Sequence, residues 1–124
     1  MIRFAFVAMV TVLGLFAACG DDADDLGVGA QCTGNDQCDA DTNQTCLSFK
    51  GGYCGIMGCT ADADCPELSA CIMHTDGINY CFRTCGDKPD CNANRDVDNE
   101  ANCSSSVTFV EGANGRKACV PPSA

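Results

Sequence analysis

Two residue types in this chain of 124 could carry chemistry beyond solvation: one histidine, His74, and thirteen cysteines. A histidine-assisted nucleophile would have to use His74, next to a cysteine or within a serine–aspartate arrangement. His74 falls instead in Ile72-Met73-His74-Thr75, two residues before Asp76, a stretch that reads as a hairpin strand. No G-x-S-x-G, HExxH or phosphate-binding glycine loop is present. Glu67, Glu100 and Glu111 have no evident partner for acid–base work. The cysteines could hold zinc as thiolates, but the C-x2-C steps of zinc sites are missing. The residues therefore point away from an enzyme, and the cysteines read as covalent cross-links.

Calcium is the one metal the sequence raises. Asp39-Ala40-Asp41-Thr42-Asn43 places Asp39, Asp41 and Asn43 at the first three oxygen-ligand positions of a calcium loop. Gln44 stands where that loop needs glycine, and Lys50 where it needs a bidentate glutamate. Asp96-Val97-Asp98-Asn99-Glu100 is a second acidic run, also without its glycine. Solvated turns are the expectation for both. No cofactor is expected, and calcium binding through Asp39, Asp41 and Asn43 would be weak.

Twelve of the cysteines form three sets of four, each opening with the same C-x5-C step: Cys32, Cys38, Cys46, Cys54; then Cys59, Cys65, Cys71, Cys81; then Cys85, Cys91, Cys103, Cys119. An even count at repeating intervals reads as a disulfide framework. Between the third and fourth cysteine of each set lies a hairpin signal: Gly51-Gly52 after Leu47-Ser48-Phe49-Lys50, Asp76-Gly77 after the His74 stretch, and Asn114-Gly115 after Val107-Thr108-Phe109-Val110. The C-x5-C steps hold Asn35, Asp36, Asp62, Asp64, Asp87 and Asp90, whose side chains suit turns. The expected fold is small and disulfide-rich. It has three tandem four-cysteine modules, 32–54, 55–81 and 82–124, each with one short β-hairpin and little helix apart from a leader. The connectors, Gly55 to Gly58 and Phe82 to Thr84, are short, so the modules are expected to pack in a line.

The leader is residues 1–18. Arg3 is followed by an apolar run from Phe4 to Phe16, too short to span a bilayer. Leu15-Phe16-Ala17-Ala18-Cys19-Gly20 resembles a bacterial lipobox. That resemblance implies a signal peptide over 1–18, acylation of Cys19 and a mature chain that starts there. Several acyl chains would anchor the protein stably without a transmembrane helix. Ordinary cleavage and secretion is the alternative. Residues 19–31, with Asp21, Asp22, Asp24 and Asp25, are expected to form a flexible tether. Gly20 does not resemble an inner-membrane retention signal, so the bacterial outer membrane is the expected address.

Four cysteines allow three pairings, and spacing alone leaves them open. The middle unit, C-x5-C-x5-C-x9-C, is similar to the first bridges of the colipase and Dickkopf fold, which run first-to-third and second-to-fourth. This chain lacks the adjacent Cys-Cys of that fold. The resemblance implies Cys59–Cys71 with Cys65–Cys81. By repeat symmetry it implies Cys32–Cys46 with Cys38–Cys54, and Cys85–Cys103 with Cys91–Cys119. The whole chain resembles the Cys-repeat lipoproteins of bacteria, through its lipobox, its Asp-rich tether and steps such as Cys59-Thr60-Ala61-Asp62-Ala63-Asp64-Cys65.

From Cys19 onward only 14 residues are Leu, Ile, Val or Phe and none is Trp. A core that thin cannot offset chain entropy unaided. A bridge closing a loop of about 15 residues adds ~3 kcal/mol in the chain-entropy model. The formal charge of −10 excludes nucleic acid as a partner, because it offers no basic patch. The functional expectation is a lipid-anchored, non-enzymatic binding or structural module of the cell envelope, with the membrane and an envelope protein or ligand as partners. The alternatives are an inhibitor of an extracellular hydrolase, acting through the segment Asn92 to Asn102, and a calcium-dependent adhesion module.

Overall fold

Cross-strand order explains most of the architecture. The computed structural model describes residues 26–123. The leader, the lipidation candidate Cys19 and the Asp-rich part of the tether lie outside the described residues. The first module forms β1 (Thr45–Leu47) and β2 (Tyr53–Met57) around Gly51-Gly52. The second forms β3 (Ser69–Met73) and β4 (Asn79–Cys85) around Asp76-Gly77. The third forms a short helix α1 (Lys88–Asn92), then β5 (Asn102–Ser104), β6 (Thr108–Phe109) and β7 (Lys117–Val120). All strand pairs are antiparallel.

The modules do not stand in a line. They share one seven-stranded sheet of order β1-β2-β4-β3-β6, with β7 joining β4 to β5. The expected connectors are themselves strand. Gly55 to Met57 continues β2, and Phe82 to Cys85 continues β4, so Ile56 lies opposite Cys81 and Met57 opposite Tyr80. The third hairpin also differs from expectation. The partner of β7 is β5, with Cys103 opposite Cys119, rather than Val107–Val110. That apolar stretch leaves its own module and pairs with β3, setting Phe109 opposite Ile72. The reason is burial. Phe109 is 5% exposed in the common core with Ile72, Tyr80 and Phe82, which its crossing to β3 makes available to it.

The tether ends earlier than residue 31. Val28 and Ala30 are buried. Gly29 N–H donates to the Cys54 carbonyl at 2.8 Å, and Cys54 N–H to the Ala30 carbonyl at 2.9 Å. Residues 28–31 are thus extra chain laid against the first module, contrary to the expected flexible segment. Their sequence, Val28-Gly29-Ala30-Gln31, is short and apolar enough to join a core that lacks bulk.

Six bridges join Cys32–Cys46, Cys38–Cys54, Cys59–Cys71, Cys65–Cys81, Cys85–Cys103 and Cys91–Cys119. Each module is therefore closed by first-to-third and second-to-fourth links. Gly52 meets two demands at once. It sits at φ +69, and a Cβ there would strike the Cys32 carbonyl.

At the centre, Tyr53 is fully buried. Its hydroxyl donates to the Cys119 carbonyl at 2.9 Å and accepts from Arg83 N–H at 3.0 Å, tying β2 to β4 and β7. Burial raises its pKa far above the ordinary phenol value. Replacing it, Tyr53→Phe, would keep the ring but leave both backbone groups without a partner. The expected loss is about 1–3 kcal/mol in urea unfolding of the oxidised protein. A change below ~0.5 kcal/mol would show that the hydroxyl carries no such weight.

Candidate functional site

The repeated C-x5-C step builds the same device three times. The residue before the second cysteine turns its side chain back to the residue after the first. Gln37 Oε1 accepts from Thr33 N–H at 2.7 Å, Asp64 Oδ2 from Thr60 N–H at 2.9 Å, and Asp90 Oδ2 from Gly86 N–H at 2.9 Å. A 3-10 turn follows in the first two modules, Asn35–Gln37 and Asp62–Asp64, and α1 in the third. A second contact fastens this turn to the outer edge of the hairpin. Asn35 Oδ1 accepts from Cys46 N–H at 2.9 Å, and Asp62 Oδ1 from Cys71 N–H at 3.0 Å. Lys88 occupies that place in the third module and pairs with Glu100 instead. There Asn92 takes over, accepting from Ala101 N–H at 2.8 Å and donating to the Ala101 carbonyl at 3.0 Å.

The segment Asn92 to Asn102 is a clasp between the third and first modules. Arg95 is 9% exposed. Its guanidinium donates to the carbonyls of Asn99, Gly52, Lys50 and Gly29 at 2.7, 2.8, 2.9 and 3.3 Å. It also lies 5.6 Å from the Tyr53 ring centroid. Carbonyl dipoles thus stand where a carboxylate partner would be usual, and burial lowers the Arg95 pKa. Gln31 and Asp96 exchange two further bonds at 2.8 and 3.0 Å. Sequence reasoning missed Arg95, because a lone arginine in an acidic loop looks like any surface cation. Val97, at the tip of the clasp, is 82% exposed.

The calcium candidates fall on a single turn. Asp39 caps the 3-10 turn Ala40–Thr42, and Asn43 closes it at φ 61. Asp39 Oδ1 accepts from Asp41 N–H at 3.0 Å and Oδ2 from the Thr42 hydroxyl at 3.1 Å. Both carboxylate oxygens of Asp39 are therefore engaged locally. Gln44 Oε1 is buried without a hydrogen-bond partner among the described residues. With Asp41 and Asn43 it still falls well short of the six to eight oxygens that calcium takes. The donor groups that do cluster among the described residues are bridged cysteines. These residues fit a capped turn rather than a calcium cage.

His74 packs edge-on against Phe49, Tyr80 and Phe82, with ring centroids 5.5, 5.9 and 5.5 Å away. Nearby, the Tyr80 hydroxyl donates to Asp76 Oδ2 at 2.7 Å. Burial, and then this bond, push the Tyr80 pKa up to about 12. On the other side of His74, where β3, β5, β6 and β7 meet, a concavity of about 470 Å³ opens, with Ile72, Val107 and Val120 among its lining residues. Neither the sole histidine nor the strands beneath this concavity mark it in the sequence, because it forms only when β6 crosses to β3.

No protein-family model, curated protein or solved structure matches this chain.

Two outcomes follow for the turns. Backbone N–H donors from Thr60 and Ala61 hold the Asp64 carboxyl below its ordinary range, and those of Gly86 and Asp87 do the same for Asp90. Each folded pKa is depressed relative to an unfolded value near ~3.9. Their contribution is therefore present above about pH 4 and lost as pH falls through the lower folded value. Gln37 does not titrate, so the first module keeps its lock in acid. Protection from amide exchange, taken relative to the intrinsic rate at each pH, should fall at Thr60 and Gly86 in that window and not at Thr33. An equal loss of protection at Thr33, or an unchanged acid limb in Asp64→Asn, would contradict this.

For the calcium candidates, Asp39→Ala should cost about 1 kcal/mol through the lost cap. The melting temperature should drop equally in chelator and in millimolar calcium. A calcium-dependent rise in the parent protein that Asp39→Ala abolishes would reinstate the metal.

Proposed function

We propose that this protein is a lipid-anchored, non-enzymatic module of the bacterial cell envelope that holds a rigid recognition surface outside the membrane. One observation carries the reading. Most side chains that could have done chemistry serve the structure: the turn carboxylates cap N–H groups, Arg95 binds carbonyls, His74 packs against aromatic rings, and twelve cysteines are bridged. Such a body binds with little ordering cost, because its loops are already fixed. Six bridges suit an oxidising compartment outside the cytoplasm. Acyl chains on Cys19, joined through the short acidic stretch that follows it, would attach this body to the outer membrane.

The decisive experiment is the intact mass and fractionation of the mature protein in its bacterial host. An N-terminal, acylated Cys19 in the membrane fraction is the expected result. An unmodified Cys19 thiol, or recovery from the medium, would replace the anchored reading with a secreted one. A hydrolase inhibitor is the second reading, favoured by the exposed Val97 on its clamped loop. A panel of extracellular proteases and glycosidases separates the two. Stoichiometric inhibition that Val97→Asp abolishes would establish the inhibitor.

A further inference from the structure

The concavity between β3, β5, β6 and β7 differs chemically from the surface around it. No charged side chain lines it, on a chain with 17 Asp and Glu and 7 Lys and Arg. Two other concavities of similar volume both carry charge, Asp76 in one and Arg83, Asp90 and Arg116 in the other. The accessible apolar residues that line the uncharged groove include Met73, Val107 and Val120. Interspersed with them are the hydroxyls of Thr75, Ser106 and Thr108, the His74 imidazole and the Asn102 amide, which lies across the ladder from Val120. Among the described residues, the one hydrogen bond to a polar side chain of this groove is that of Ser104 Oγ, which accepts from Ser106 N–H at 3.1 Å.

We infer that this groove binds a short neutral oligosaccharide. The inference rests on the reading of the chain as a non-enzymatic binding module, and it names the ligand class. The net charge of −10 repels anions, and no cation in the groove offsets that field. No carboxylate is there to select a cation. A neutral ligand remains, and it must offer hydroxyl or amide groups and C–H surface close together, as the lining does. A sugar ring does both.

An extended peptide would need a free strand edge to read its backbone. The edge here, β6, is two residues long. The volume of about 470 Å³ lies within the ~300–1,000 Å³ usual for ligand sites. The walls are fixed in advance, because β3, β5 and β7 each carry a bridged cysteine: Cys71, Cys103 and Cys119.

The test is NMR titration of the full mature chain in detergent. The probes are neutral trisaccharides of glucose and of N-acetylglucosamine, a sulfated trisaccharide and an uncharged pentapeptide. The amides of Thr75, Ser106, Thr108 and Val120 should shift with a neutral trisaccharide, with Kd near ~1 mM. The sulfated sugar should bind at least about tenfold more weakly. Val107→Trp, which fills the groove, and Ser106→Glu, which charges it, should each abolish the shifts while the six bridges stay intact. Two variants are used because one could disturb the fold.

Unmoved groove amides at about 10 mM of every neutral sugar would overturn the site. So would a preference for the pentapeptide. Either result leaves the binding-module reading standing with a different partner. Cleavage of the bound sugar would do the opposite, sinking the non-enzymatic reading and keeping the site.

Discussion

In each hairpin the third and fourth cysteines lie directly opposite one another in the ladder, yet they do not bond to each other. Cys46 faces Cys54, Cys71 faces Cys81 and Cys103 faces Cys119. Each sulfur instead reaches back to the preceding loop, so that loop is fastened to both strands at once. Everything else depends on this arrangement. A two-stranded hairpin alone is marginal in water. Crossed links to a tight 3-10 turn or short helix give it a second layer that its few apolar residues could not provide. The fourth cysteines are fully buried, as is Cys71, so the bridges also stand in for missing core volume. The aliphatic and aromatic core is small, with Tyr53, Phe82 and Ile72 its largest fully buried side chains.

The polar residues extend this economy. In a chain of this charge, Asp and Asn side chains would be expected to do no more than face water. Here Asn35 and Asp62 cover the outer N–H of β1 and β3, and Asn92 covers Ala101 just before β5. β1 and β5 are sheet edges where another chain could add, whereas β3 is already partly covered by β6. The same side chains that tighten the turns thereby blunt the sheet against aggregation. Arg95 performs the corresponding task between modules. It gathers carbonyls from the residues before β1, from the Gly51-Gly52 loop and from its own turn around one guanidinium, a fork geometry that lysine could not reproduce.

Local features were legible in the sequence, and relations between distant segments were not. The small disulfide-rich class follows from the cysteine count and the poverty of apolar bulk. The strands around Gly51-Gly52 and Asp76-Gly77 follow from turn chemistry that acts over a few residues. Val107–Val110 carries an equally good strand signal, but its partner is set by where Phe109 can be buried, which depends on Ile72 and Phe82 already being paired. Val28 and Ala30 were hidden for the same reason: an Asp- and Gly-rich stretch reads as solvated until a groove exists to receive its apolar members. Of the candidate site residues, Asp39 announced its turn, since an Asx cap is local. The uncharged groove had no signature at all, because its walls come from four strands that meet only in the finished sheet.

The Arg95 clasp has a consequence for the order in which the fold can be completed as the chain emerges. A chain that emerges N-terminus first presents Cys32 to Cys54 long before Arg95 follows. The first two bridges, with sequence separations of 14 and 16, can close early. The carbonyls of Gly29, Lys50 and Gly52 must wait for residue 95, and the Tyr53 hydroxyl for the Cys119 carbonyl, almost at the C-terminus. Covalent closure is therefore sequential while packing is deferred. The emerging first module is cross-linked but still open, its unmet carbonyls in water, until the last quarter of the chain arrives. A chain stalled before Cys91 would carry the correct early bridges and still lack a finished interior.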